Sequence, residues 1–437
     1  MICELSAARP DAFVASYGTA APPRVPTQRF VEVMSAAFRR AGKSEDTIAK
    51  FARTCKASRV TSRSLSLSQY HAGTGTADVQ YLGKPAGEPR EAELIAEGRS
   101  SLSAEQRAAL WDDIAPKLSL EAARSALASW TEGSASDITH IVTTNTSGWR
   151  EPGIAAHLIH SLGLSLDTQK AELNFNGCFC GMTCLRLARD IVRSGAAGER
   201  RAVLVVGLEL ASLHADEMQD DPSTLVALSL FSDGAGAFII ATAGPWRFAD
   251  AGMSLIPDST TLLGMVPHSA PHEPPRQSFR MHLSPEVPTA LAAYFTQGAG
   301  RRLLARLAGG AAAKYSGLSA AAVDSDSDSE LPALAVHPGG PRILDALARP
   351  LTTNFNFKSD ALAASYDTLF EHGNLGCTAI LFVLARVLST AVEARVASLA
   401  FGPGVTVEWG AFERARAPTP CMTPVAACEG ASPEMFQ

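Results

Sequence analysis

Asn176-Gly-Cys-Phe-Cys-Gly-Met-Thr-Cys184 sets a cysteine directly after a glycine and ahead of a mostly apolar helical stretch. A thiol at that point meets the partial positive charge of a helix start, which favours thiolate. Gly177 and Gly181 supply the small neighbours that let the sulfur be approached. Cys178 is therefore a candidate nucleophile. The rival chemistry is metal binding, because Cys178, Cys180 and Cys184 cluster. Their spacing lacks a second Cys/His pair at zinc-site distance, and no metal is expected. Cys184 and Cys377 read as buried core thiols; Cys180 stays open between the two roles.

Two further runs bear chemistry. Val336-His-Pro-Gly-Gly-Pro-Arg-Ile-Leu344 puts His337 at the end of an apolar strand. It thus faces whatever lies beyond the carboxyl edge of the sheet, where ligands bind in open α/β folds. Glu371-His-Gly-Asn-Leu-Gly376 puts an amide, Asn374, at a second helix start, where it can donate to a thioester carbonyl oxygen. Taken singly, such a histidine is more often structural, and such an asparagine is an ordinary cap.

These residues need a frame, and the apolar pattern supplies one. Short apolar runs separated by helical patterns signal alternating strands and helices. Residues 137–144 read as a buried strand ending at Asn145-Thr-Ser-Gly148, residues 201–208 as a second, and residues 334–336 as the strand that delivers His337. Residues 396–401 and 405–409, broken by Gly402-Pro-Gly404, read as a closing pair. Helices are expected over 185–194 and 379–388, which makes a layered α/β architecture. Gly177-Cys178 and Gly373-Asn374 form a faint internal repeat, and packing its two copies together would bring both helix starts near each other. Residues 71–92 read as a long loop. Residues 324–330 read as an acidic, solvated insertion, and the chain from 414 onward as a disordered or draped tail.

The 437 residues, 46% hydrophobic and 19% charged, are globular in composition and long enough for a duplicated core. A net charge of -6 gives no basic excess for nucleic acid. There is no basic-then-apolar signal at the start and no run of about 18 apolar residues for a membrane span. A reducing, cytoplasmic setting with free thiols is expected.

Together the motifs resemble the type III polyketide synthases, the chalcone and stilbene synthase family, in a non-plant-type member. The family's Gly-Cys-Phe-Ala-Gly-Gly-Thr stands here as Gly177-Cys-Phe-Cys-Gly-Met-Thr183, and its His-Pro-Gly-Gly-Pro is unchanged at 337–341. Gly-Asn-Met becomes Gly373-Asn-Leu375, and Leu-Phe-Gly-Asp-Gly-Ala becomes Leu230-Phe-Ser-Asp-Gly-Ala235. The closing Gly-Phe-Gly-Pro-Gly-Leu-Thr-Val-Glu becomes Ala400-Phe-Gly-Pro-Gly-Val-Thr-Val-Glu408. The matches run in order from about residue 12 to residue 412.

The resemblance implies a duplicated thiolase-like fold, layered α-β-α-β-α with two mixed sheets, in a homodimer. Residues 1–245 would form the half carrying the nucleophile, residues 246–413 the half carrying His337 and Asn374, and residues 414–437 the tail. Cys178, His337 and Asn374 would form a triad. His337 as imidazolium would stabilise the Cys178 thiolate, and His337 with Asn374 would hold the enolate left when malonyl-CoA loses carbon dioxide. CoA thioesters, malonyl-CoA and an acyl-CoA starter, are the substrates, with no cofactor. Lys50, Arg53 and, one position early, Lys56 would hold CoA phosphates on a helix face, with Gly339 and Arg342 also on the CoA path. Phe231 and Met281 would gate the cavity, and Thr146 and Ser147 keep their family places in it. His214 takes cavity volume, Gly376 stands where the family often has serine and leaves room for an alkyl tail, and Glu151 replaces a methionine that crosses the dimer. These departures imply an aliphatic acyl-CoA or malonyl-CoA starter and a phloroglucinol, alkylpyrone or alkylresorcinol product. Two rivals remain. A ketoacyl carrier-protein synthase of the initiating type would lack the closing motif, and an inactive thiolase-fold binding protein would have lost a triad member.

Overall fold

The computed structural model describes residues 9–71, 102–216, 219–270, 276–309 and 331–415. The acidic run, residues 72–92 of the long loop and residues 416–437 of the tail lie outside the described residues.

The first half runs β1 (Phe13–Ala20), β2 (Arg24–Pro26), α1 (Thr27–Arg40), α2 (Glu45–Ala57), β3 (Ser62–Ser64) and α3 (Ala104–Ala128). It continues through β4 (His140–Asn145), α4 (Ile154–Ser161), β5 (Gln169–Glu172), α5 (Cys180–Arg193), β6 (Ala202–Leu210), α6 (Pro222–Leu230) and β7 (Asp233–Ala241). The second half runs β8 (Trp246–Leu255), β9 (Leu263–Ala270), β10 (Arg276–Leu283), α7 (Val287–Thr296) and α8 (Gly298–Gly309). It closes with β11 (Ala333–Val336), α9 (Pro341–Phe355), α10 (Ala363–His372), α11 (Ala379–Thr390), β12 (Arg395–Gly402) and β13 (Thr406–Arg414). Arg414, expected to open the tail, instead ends β13, and the Ala415 N–H donates to the Pro245 carbonyl at 2.8 Å.

Each half contributes a mixed sheet, ordered β5-β4-β6-β7-β1 and β8-β13-β12-β11. The two meet edge to edge through Phe13↔Arg247 and Val14↔Trp246, which makes one continuous nine-stranded sheet of the two expected ones. β6 and β7 are buried along their whole length, as their nearly unbroken apolar and small residues require when both faces are covered.

Three apolar clusters account for the layers. One packs α1, α2, α3 and α4 on the outer face of the first half, and another packs α7, α8, α9 and α10 on the outer face of the second. The third lies between the halves, where α5 and α11 meet residues of both sheets. Glycine permits that close approach. A Cβ on Gly236 would come 2.9 Å from the Leu381 Cβ, and one on Gly207 would come 3.0 Å from its Cδ1. Burying Leu381 there contributes about 2 kcal/mol. The α-β-α-β-α layering and the proximity of the two helix starts therefore follow from the sequence as expected.

Candidate active site

Gly177 has φ 88°, and a Cβ there would sit 2.3 Å from the Pro403 Cδ. Only glycine allows this turn against the Gly402-Pro-Gly404 loop, which is how the closing motif reaches Cys178. Cys178 lies in the turn two residues before α5, whose first residue, Cys180, is fully buried with its Sγ on the Leu173 carbonyl at 3.4 Å. Cys180 thus faces the core with Cys184, and Cys178 faces the cavity. The expected helix-start position holds to within one turn.

β11 delivers His337 to the same cavity, 2% exposed, with its N–H donating to the Leu399 carbonyl at 2.8 Å. Its Nδ1 has no hydrogen-bond partner among the described residues. Asn374 is held at all four of its polar groups. Its N–H donates to the Leu230 carbonyl at 2.7 Å, and its carbonyl accepts from Ser232 N–H at 3.0 Å. Its Nδ2 donates to the Gly339 carbonyl at 3.3 Å, and its Oδ1 accepts from Gly376 N–H at 3.0 Å. These contacts fix which way the amide points.

Burial, reinforced by the negative Glu209 nearby, pushes the Cys178 thiol up to about 12. Burial alone pushes the His337 imidazole down to about 3. Both shifts disfavour the charged form of each group taken singly.

Cys178, His337 and Asn374 come from three separate stretches of chain to one cavity of about 190 Å³. Phe231, Met281, His214, Thr146, Ser147 and Gly376 line it as well, as does Gly339. Ser147 Oγ accepts from Leu210 N–H at 2.9 Å, and the Ser147 carbonyl pairs with His214 Nε2 at 2.7 Å. Burial holds the His214 ring down at about 4, so it stays neutral.

Gly376 gives no extra room. With φ 56°, a Cβ there would meet the Glu209 carboxyl at 2.4 Å from Oε2, so the space a side chain would use is already filled. Glu209 was legible only as a lone acid in an otherwise apolar strand. It takes a hydrogen bond from Thr146 Oγ1 at 2.6 Å and a longer one from Cys377 N–H at 3.4 Å, and burial raises its carboxyl above the usual range. Met265 was not foreseen either. It sits directly opposite Met281 in the β9–β10 ribbon, and both line the cavity.

Lys50, Arg53 and Arg342 are exposed and lie outside the cavity lining. Lys56 turns instead to a separate groove between α1 and α2, shared with Glu32 and Arg39. Glu151 is exposed at a loop. Among the described residues, no group of three His, Cys, Asp or Glu could hold a metal, and no helix is long and apolar enough to cross a membrane.

Residues 3–245 match the N-terminal domain of chalcone and stilbene synthases, and residues 319–412 match their C-terminal domain. Type III polyketide synthase B of Arabidopsis thaliana is 30% identical over 332 residues, covering 72% of this chain and 76% of that protein. Bisdemethoxycurcumin synthase of Oryza sativa subsp. japonica is 29% identical over 328 residues, covering 71% and 74%. Among solved structures, the C-terminal type III polyketide synthase domain of Steely1 from Dictyostelium superposes with a TM-score of 0.72 at 21% identity, covering 92% of this chain and 99% of that one. PKS-I from the brown alga Ectocarpus siliculosus gives 0.74 at 20% identity, covering 93% and 99%. At such identities the structures speak for the fold alone.

Proposed function

The chain belongs to the chalcone and stilbene synthase family of type III polyketide synthases, and we propose that it extends an aliphatic acyl group held on Cys178 with malonyl-CoA. It is an acyltransferase; the starter, the extender and the residue roles are our reading. The observation that carries it is the convergence of Cys178, His337 and Asn374 on one largely apolar cavity.

In this reading His337 takes the Cys178 proton as the sulfur attacks an acyl-CoA carbonyl, and the proton leaves on the CoA thiol. Malonyl-CoA then gives up carbon dioxide. The electron pair released becomes an enolate whose oxygen accepts from the Asn374 Nδ2 and the neutral His337 imidazole N–H. The enolate carbon attacks the Cys178 thioester, the new carbon–carbon bond forms, and the thiolate departs to start again. Lys50 and Arg53 would hold CoA phosphates outside the cavity. Two identical chains would form the working enzyme.

Starter choice follows from the lining. Met265 and Met281 oppose each other as flexible thioethers where a ring would offer a flat wall. No Lys or Arg lines the cavity among the described residues, while Glu209 does. A malonyl group kept intact as starter would find no counter-charge there, and the same lack favours loss of carbon dioxide from the extender. We therefore favour an uncharged alkyl chain, and an alkylpyrone or alkylresorcinol product over phloroglucinol. Competing lauroyl-CoA against cinnamoyl-CoA, with intact mass of the acylated protein and product profile as readouts, tests this. An acyl group on Cys178 drawn mainly from lauroyl-CoA supports it; a clear win for the aromatic ester overturns the starter assignment.

A further inference from the structure

Arg63 is fully buried, yet no carboxylate pairs with it among the described residues. Burying a guanidinium without a counter-charge is costly unless its donors are used. Nη1 donates to the Leu228 carbonyl at 2.9 Å and Nη2 to Thr27 Oγ1 at 3.3 Å, and the group lies 4.1 Å over the Phe30 ring. Leu228 belongs to the last turn of α6, where carbonyls lack helical partners and a positive charge is favoured. Two and three positions on stand Leu230 and Phe231. Leu230 accepts from Asn374 N–H, and Phe231 is bridged to Asn374.

The neighbours of Arg63 on β3 and just before it hold the other route to Asn374. Thr61 donates both N–H and Oγ1 to the Phe370 carbonyl, at 2.8 and 2.7 Å. Ser62 Oγ donates to the Glu371 carbonyl at 2.6 Å, and Ser64 Oγ pairs with His372 Nδ1 at 3.2 Å. Alternation along a strand explains the division: residues 62 and 64 grip the end of α10, and residue 63 reaches the end of α6. Both helix ends run straight into the Phe231–Asn374 bridge. On its other side β3 follows α2 after a short link in which Ser58 Oγ donates to the Cys55 carbonyl at 2.7 Å. That helix bears Lys50 and Arg53.

From this we infer that Arg63 is a positioning residue: through β3 it joins the CoA-phosphate helix α2 to the place where Asn374 and Phe231 are held. The inference rests on the roles proposed above for Lys50, Arg53 and Asn374. Phosphates drawn to α2 bear, by way of Arg63 and the α6 carbonyl, on the amide that receives the enolate. Lysine in its place keeps the charge but not the two-pronged fork.

The test is a mutant cycle on malonyl-CoA decarboxylation and on condensation, with kcat and KM measured separately. Arg63→Lys is expected to lower kcat about tenfold in both reactions while KM for malonyl-CoA moves less than about twofold. Its melting temperature should stay near that of the parent. In an Asn374→Ala background Arg63→Lys should cost little more, because the amide it positions is gone. A full, additive loss in that background overturns the inference, as does unchanged kcat in Arg63→Lys. Arg63→Met extends the series where it folds; where it does not, Arg63→Lys decides. Should Asn374→Ala itself keep both activities, the role given to Asn374 falls instead, an outcome distinct from failure of the Arg63 cycle.

Discussion

At the start of α5 a glycine with φ 88° precedes Cys178; at the start of α11 one with φ 82° precedes Asn374. Both turns are made of small residues, and both end on the same cavity from opposite halves of a duplicated fold. What differs is how firmly each product is held. Four hydrogen bonds fix Asn374, whereas none ties the Cys178 sulfur to another residue among the described ones. The helices also begin differently. α5 starts two residues after Cys178, while a 3-10 turn at Gly376–Thr378 delays α11, and Glu209 fills the space beside that turn. An anion-stabilising donor works only where it is already aimed. In the proposed mechanism the nucleophile must move toward carbon and back, and a turn that fixes the backbone while leaving the side chain free suits that role.

The sharpest way to break the comparison is at the α5 start. Cys178→Ala should take up no acyl group by intact mass and lose condensation by more than about a thousandfold. Cys180→Ala, two residues on and facing the core, should stay within about tenfold of the parent. If Cys180→Ala is equally dead while folded, the two thiols share the work and the assignment of one nucleophile fails.

At the α11 side, Asn374→Ala and His337→Ala are each expected to lower decarboxylation and condensation by roughly 10²- to 10³-fold. The double variant should be little worse than either single one. Decarboxylation that survives in both singles would remove the enolate role and leave only a structural likeness between the starts.

A smaller effect sharpens the difference in local geometry. Gly376→Ser must adopt φ 56° and meet Glu209, so a thermal or denaturant melt should show a loss of about 1–3 kcal/mol. Trimming the carboxyl in Gly376→Ser/Glu209→Ala should restore part of it. A neutral Gly376→Ser would mean that the space is open after all. Smallest of all, and away from both starts, Lys50→Ala or Arg53→Ala should raise KM for CoA thioesters by about threefold to tenfold with kcat nearly constant. An unchanged KM returns them to an ordinary solvated face.

Much of this was legible beforehand, for a physical reason. Strand and helix runs around Cys178, His337 and Asn374 are written in local periodicity, and glycines at left-handed turns sit beside the residues they aim. Glu209, Met265 and Arg63 were not legible as parts of the site, because each acquires its role from a partner far along the chain: Glu209 from residue 376, Met265 from the strand facing it, Arg63 from the end of α6.

The packing of Gly402-Pro-Gly404 onto the Gly177 turn has a bearing on how the protein is made. The ribosome releases Cys178 long before it releases the loop that seats its turn. The amide, the imidazole and this loop all come from the last stretch of chain, so a growing chain carries an unassembled thiol rather than a working one.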